Sequence, residues 1–323
     1  MALDQASDFP DVFRHFAVAE GARSDESCYP YAPVFPVQID GNRAVIKRTT
    51  GPMSAAAAIA RWVRALGEQG VEVVNPLTLT MGNPAEIGDR VWVAYPWIEG
   101  RTYQGSTADI EAAGDLLGRI HAAQTPDDDM PRFPWPDHDA ASVEEDVTGL
   151  QRVLGKHAPE IHDEVLARMT PWLESFMAET LPPVRDADLP RAVVCMDYKA
   201  NNLVYVNNKP VLIDPDNAEF APRILDLALA ALLFQNESAT SPPRLFTTAE
   251  WATFISAYGR HVRLTHTEVA LWPTVLRYML LEWGTWTLID AAEWDDWEDA
   301  HKRGFLVDLA TVDLERFPLP NSR

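Results

Sequence analysis

The stretch "CMDYKANN", residues 195–202, runs into "LVYVNNKPVLIDPDNA", residues 203–218, and its reading decides the fold. An apolar run, "RAVVCMD", ends in Asp197. Asn202 follows five residues later, and a second apolar run closes on Asp214. The segment "NLVYVNNKPVLID" reads as two short β-rich runs joined by Asn207-Asn208, residues that tolerate a tight turn. Such a hairpin returns Asp214 toward the loop carrying Asp197 and Asn202. Carboxylate and amide oxygens converging there suit a hard cation such as Mg2+. A remaining carboxylate suits proton removal from a hydroxyl. These are the parts of a phosphoryl-transfer site, where catalysis is mostly positioning and charge neutralisation.

Upstream, the first hundred residues read as a small antiparallel sheet with one long helix. "SDFPDVFRHFAVAEGA" places Phe9, Val12, Phe13 and Phe16 at helical spacing. "VFPVQI" and "RAVIKRT" are strand-like runs around Asp40-Gly41, a strong hairpin signal. "MSAAAAIARWVRALGEQG" reads as a helix, with Ser54 as N-cap and Gly70 as stop. "VEVVNPLTL" and "RVWVAYPWIEG" are expected to add two strands. Beyond Gly100 the pattern turns helical, interrupted by a Pro- and Asp-rich loop at 126–140. The expected division is a strand-rich lobe, 1–99, and a helix-rich lobe, 100–323, in the α+β class.

Composition narrows the function. A 47% apolar and 10% aromatic content supports a packed core. A formal charge of −21 disfavours nucleic acid and anionic membrane as partners and favours cations, although acidity also serves solubility alone. No cationic start or apolar segment marks the N-terminus as a signal peptide, and no run has the ~18 apolar residues of a membrane span. Two cysteines, Cys28 and Cys195, point to a reducing, cytoplasmic setting and are too few for a cysteine-built zinc site.

"DYKANN", "LIDPD" and "PRILDLALA" (222–230) together resemble the aminoglycoside phosphotransferases and choline kinases of the protein-kinase-like superfamily. "AVIKRT", "VWVAYPWIEG" and "LLGRIHAAQ" extend the resemblance, in order, over residues 9 to 235. It implies a bilobal protein-kinase-like fold and an ATP- or GTP-dependent transfer of phosphate to a small-molecule hydroxyl. Asp197 would orient or deprotonate the acceptor, and Lys199 would face the γ-phosphate. Asn202 and Asp214 would bind Mg2+. Lys47 would hold the α- and β-phosphates, with Ser24 and Ser27 covering them in place of a Gly-rich loop. The backbone from Tyr95 to Trp97 would read the base, and Asp226 would hold the catalytic loop from behind.

Two departures stand out. Cys195-Met196 replaces the relatives' usual His-Gly. The helix after Lys47 carries no Glu before Glu68, so Lys47 needs a substitute partner or stays loosely placed.

For the acceptor, "RYMLLEWGTWTLIDAAEWDDWEDAHKR" combines indoles and carboxylates: Glu282, Trp283, Trp286 and Asp290. They form a candidate pocket for a cationic or sugar-like molecule, with Asp216 a further substrate candidate that reads first as a turn residue after Pro215 and otherwise as a second metal ligand. The same residues also fit a helix packing its Trp inward and its acids to water. An aminoglycoside or other antibiotic is the expected acceptor, as in a resistance kinase. A metabolic kinase for an amino alcohol or sugar, or a degenerate fold that binds without turnover, are the alternatives.

Overall fold

The computed structural model describes residues 3–320. Within them the chain divides into two compact units, Met1–Arg101 with Ala123–Pro131 and Val204–Ala218, and Thr102–Ala122 with Arg132–Leu203 and Glu219–Arg323.

The first unit is built on an antiparallel sheet of β1 (Val34–Ile39), β2 (Asn42–Thr49), β3 (Ala85–Ile87) and β4 (Arg90–Pro96), in the order β1-β2-β4-β3. Asp40 and Gly41 both take positive φ, 50° and 76°, giving the mirror-image turn whose twist suits a tight hairpin. Alternation then separates two faces. Phe35, Ile46, Trp92 and Ala94 pack with Val12, Phe13 and Phe16 in one core. Full burial of each large side chain contributes about 1.5–3 kcal/mol. The opposite face carries Val93 and Tyr95, packed with Val74 and Val45. Lys47 pairs across from Val93 in the β2–β4 register, so it rises on this second face beside Tyr95.

Three local expectations change here. The N-terminal helix is only one short segment, α1 (Pro10–His15), and ends before Ala17 at φ 55°. Ser54 is not a cap: α2 (Met53–Glu68) starts from Pro52, with no side-chain cap bond. "VEVVNPLTL" forms no strand. Its hydrogen bonds are divided, with Val74 N donating to Leu212 O and Leu77 N to Ala94 O, so no single ladder develops.

The second unit is mostly helical. It contains α3 (Thr107–Ala122), α4 (Ala140–His157), α5 (His162–Glu174), α6 (Leu181–Arg185), α7 (Arg223–Leu233), α8 (Thr248–Tyr258), α9 (His266–Met279), α10 (Thr285–Asp290) and α11 (Ala300–Ala310). Helices α3 and α8 approach backbone to backbone. A Cβ on Gly114 would lie 2.2 Å from Phe254 O, and one on Gly118 2.7 Å from Tyr258 O, so only glycine allows the contact. Thr247 and Thr265 each close a capping box, with Glu250 and Glu268, at the starts of α8 and α9.

Four short strands flank the opening stretch: β5 (Arg191–Val194), β6 (Leu203–Val206), β7 (Lys209–Leu212) and β8 (Glu219–Pro222). β6 pairs with β7 through Asn207 and Asn208, at φ 51° and 64°, the turn their residue types favour. β5 pairs antiparallel with β8, Val194 opposite Glu219, and delivers the chain into the loop at Cys195.

Candidate active site

The loop 195–202 hangs on one carboxylate. Asp226, fully buried in the first turn of α7, accepts Cys195 N at 3.0 Å and Met196 N at 2.9 Å. His121 Nε2 lies 2.9 Å from the same side chain, and His121 Nδ1 is 3.0 Å from Tyr258 OH. These bonds hold Met196 at φ 53°, a left-handed backbone that costs a non-glycine residue about 1–2 kcal/mol. The Cys195-Met196 oddity therefore has a geometry: the position needs a left-handed backbone, and Met196 supplies it because Asp226 pins its amide. Burial pushes the Cys195 thiol well up, with the Asp226 and Asp197 charges adding to the effect, so it remains an unreactive thiol.

Beyond that anchor the loop alternates. Cys195, Met196, Tyr198 and Ala200 are buried, Tyr198 donating to Ala113 O at 2.7 Å. Asp197 and Lys199 keep partial exposure. Asn202 Nδ2 donates to the Asp197 carbonyl at 2.9 Å and its carboxylate at 3.0 Å. Lys199 Nζ stands 3.3 Å from Asp197 Oδ1 and 3.1 Å from Glu237 Oε1. Asp197, Lys199 and Asn202 are thus brought together within a single loop. A carboxylate oriented by an amide and flanked by an ammonium can accept a proton while the ammonium faces anionic oxygens.

The first unit carries its own charge cluster. Lys47 Nζ donates to Asp214 Oδ1 at 2.6 Å and lies 3.1 Å from Asp216 Oδ2. The second contact is a charge pair without hydrogen-bond alignment. Tyr95 OH donates to Asp216 Oδ1 at 3.0 Å. Burial pulls the Lys47 pKa down, but the two carboxylates outweigh it and hold the ammonium charged above its ordinary value. Burial pushes Asp216 up, Lys47 opposing and Asp214 reinforcing the rise. One ammonium against two carboxylates leaves the cluster with a formal deficit of positive charge, which favours a divalent cation. Asp214 is the more exposed of the pair, its side chain 33% accessible against 9% for Asp216. No three His, Cys, Asp or Glu side chains group as a complete metal cage among the described residues. Mg2+ seldom needs one, since it is held by one or two carboxylates together with phosphates and water.

The remaining candidates divide. Ser27 is buried, and its hydroxyl is engaged with Tyr29 O, Ala32 O, Tyr29 N and Val34 N, fixing a turn. Ser24 is more accessible and donates to Glu26 O at 2.7 Å. The Trp97 amide donates to Arg43 O at 3.1 Å, and the Arg43 guanidinium covers its ring at 4.4 Å. In the second unit, Glu282 Oε1 meets His138 Nε2 at 2.7 Å, and Trp283 lies nearly parallel to Phe133 at 6.0 Å. Burial pushes Glu282 up, with His138 opposing. Trp286 is 61% exposed. Asp290 is raised by burial first and then by Glu293. Trp297 is buried and donates to Leu288 O. The indoles of this segment do not share one environment, Trp297 lying in the core and Trp286 at the surface. The wide turn Leu280–Gly284 shifts the helical register, so no single stripe forms.

Sequence reasoning missed the partners that come from far along the chain: Asp216 and Tyr95 OH at Lys47, Glu237 at Lys199, and His138 and Phe133 beside Glu282 and Trp283. The Pro-rich loop offered no periodicity from which the last two could be read.

Residues 32–272 match the model of the phosphotransferase enzyme family. No curated protein sequence matches. Among solved structures, an amicoumacin kinase in complex with AMP-PNP and Ca2+ is similar at TM-score 0.63 and 15% identity, over 98% of this chain and 96% of that one. A spectinomycin phosphotransferase with ADP and spectinomycin follows at 0.58 and 14%, over 98% and 100%. Choline kinase from Cryptosporidium parvum is similar at 0.53 and 14%, over 94% and 95%. At such identities the likeness establishes the fold, which is the protein-kinase-like one.

Proposed function

From the premise that this chain belongs to the phosphotransferase enzyme family and is a small-molecule kinase, we propose that it transfers the γ-phosphate of ATP or GTP to a hydroxyl of an aminoglycoside or other antibiotic. The observation that carries the catalytic reading is the loop in which Asn202 orients Asp197 and Lys199 stands beside it. Asp197 takes the proton of the acceptor hydroxyl as its oxygen attacks the γ-phosphorus. The bond to the bridging oxygen of the nucleoside diphosphate then breaks, and Lys199 faces the charge on the transferred group. Lys47 holds the α- and β-phosphates. Asn202 and Asp214 would hold Mg2+, which neutralises charge on the phosphates when bound. The excess of carboxylate over ammonium around Lys47 supports that choice. Ser27 is left out of the phosphate grip, since its hydroxyl is engaged in its own turn. Base recognition falls on backbone groups of the Tyr95–Trp97 segment other than the Trp97 amide.

The antibiotic acceptor draws support from the amicoumacin and spectinomycin kinases among the similar structures and from the carboxylates and indoles around Glu282 and Trp283. A metabolic amino-alcohol kinase is the second reading, supported by the similarity to an aminopropanol kinase at TM-score 0.56. Of the two motives for the degenerate reading, the missing helix Glu and the Gly-poor phosphate loop, the first is weakened, because Lys47 has carboxylate partners. We place the enzyme in the cytoplasm, a reading supported by cysteines that stay unpaired; no helix among the described residues is long and apolar enough to cross a membrane. The test is ADP release with Mg-ATP or Mg-GTP against a panel of aminoglycosides, peptide and nucleoside antibiotics, choline and amino alcohols. Turnover restricted to amino alcohols would replace the antibiotic reading. Asp197→Asn is expected to lower kcat about 10²–10⁴-fold while nucleotide affinity stays nearly unchanged; full activity would remove Asp197 from its role.

A further inference from the structure

Lys47 has two carboxylates, and they are not equivalent. Asp214 makes the shorter contact, 2.6 Å, but is the more exposed and is the proposed cation ligand. A carboxylate drawn to a cation gives up much of its attraction for an ammonium. Asp216 is different. Its side chain is only 9% accessible, and its other oxygen is tied to Tyr95 OH at 3.0 Å. Tyr95 is itself fixed in β4 and packed with Val93 and Val74. The β2–β4 register places Lys47 and Tyr95 on one face, so a strand-borne hydroxyl grips the carboxylate that faces a strand-borne ammonium. Helix α2 supplies no acidic residue before Glu68, its last position.

We propose that Asp216, held by Tyr95 OH, is the positioning residue that keeps Lys47 in place when Asp214 turns to the cation. This inference rests on the proposed role of Lys47 at the phosphates. Asp216 acts through Lys47 and touches no reacting atom. Its anionic charge also opposes phosphate binding in the ground state. Its loss should therefore lower the rate without weakening nucleotide affinity, which a merely structural role would not do.

The test uses the full chain with ATP hydrolysis to water, followed in single turnover. Wild type is compared with Asp216→Asn, Tyr95→Phe, Lys47→Met and the double variant Lys47→Met/Asp216→Asn. Metal-free ADP affinity and the Mg2+ concentration for half-maximal rate are measured alongside. Asp216→Asn is expected to lower the rate about tenfold, with ADP affinity unchanged or tighter and Mg2+ demand unchanged. In the Lys47→Met background it should cost less than about twofold. Tyr95→Phe, which alters no charge and guards against a failure of Asp216→Asn to fold, should move the rate the same way by a smaller factor. A full rate for Asp216→Asn, an undiminished loss on top of Lys47→Met, or a raised Mg2+ demand would each overturn the positioning role. A full rate for Lys47→Met would instead overturn the Lys47 reading, and this inference with it.

Discussion

Asp216 and Asp226 are aspartates ten residues apart in sequence with little side-chain exposure, 9% and 0%, and their partners set them to different work. Asp226 accepts two backbone amides and faces His121. All three partners are fixed by backbone or by packing, so the carboxylate serves as a rivet for the loop that carries Asp197. Asp216 faces one side-chain ammonium and one hydroxyl, with a second carboxylate close by. Its surroundings are crowded with charge, and only Tyr95 OH is aligned as a hydrogen-bond donor to it. The lesson is that burial alone does not separate a structural carboxylate from a functional one. The kind of donor does, because neutral amides fix geometry and a flexible ammonium carries charge to a ligand.

The comparison is broken most directly by removing the rivet. Asp226→Ala leaves the amides of Cys195 and Met196 and one His121 nitrogen without an acceptor in a sealed core. A loss of about 3–5 kcal/mol is expected in urea unfolding. Asp216→Asn should cost far less stability than rate; if its stability loss matched that of Asp226→Ala, the two aspartates would be the same kind of residue.

Met196→Gly sharpens the rivet reading. Glycine accepts φ 53° freely but empties a site where Met196 is only 6% exposed. Lost packing should outweigh relieved strain by about 1–3 kcal/mol, while kcat is kept. A drop in kcat at preserved stability would mean that the side chain, and not the pinned backbone, shapes the loop.

The smallest effect comes from a third carboxylate, Glu219, paired opposite Val194 in the ribbon that leads to the loop. Burial alone pushes its pKa from 4.5 up to about 7. Between those values the folded carboxyl keeps a proton that the unfolded chain has released. Stability therefore falls as pH rises from about 4.5 to 7 and is flat beyond. Glu219→Gln should match wild type near pH 4 and exceed it near pH 8 by about 1 kcal/mol, a modest figure because the side chain is only half-buried. Equal stability at both pH values would show that burial does not bear on this carboxyl.

Much of this was legible along the chain because it is local. The Asp40-Gly41 and Asn207-Asn208 turns follow from residues that tolerate positive φ, and both hairpins form where those pairs stand. The spacing of Asp197, Lys199 and Asn202 lies within one loop, so the contacts among them needed no distant partner. "VEVVNPLTL" misled because strand propensity cannot foresee that its amides would be divided between Leu212 and Ala94. The C-terminal indoles resisted a periodic reading because a wide turn resets the helix at Leu280–Gly284.

What the sequence determined by itself is the family, the order of its motifs and the residue types available for phosphoryl transfer, since these depend on spacing along one chain. Only tertiary structure decided which groups neutralise Lys47 and which carry Cys195-Met196. A buried charge or an unpaired amide is satisfied by whatever the fold brings within about 3 Å, and that distance does not depend on separation in sequence. The helix after Lys47 lacked the acid that spacing led one to seek. Asp214 and Asp216, more than 160 residues further on, supply it.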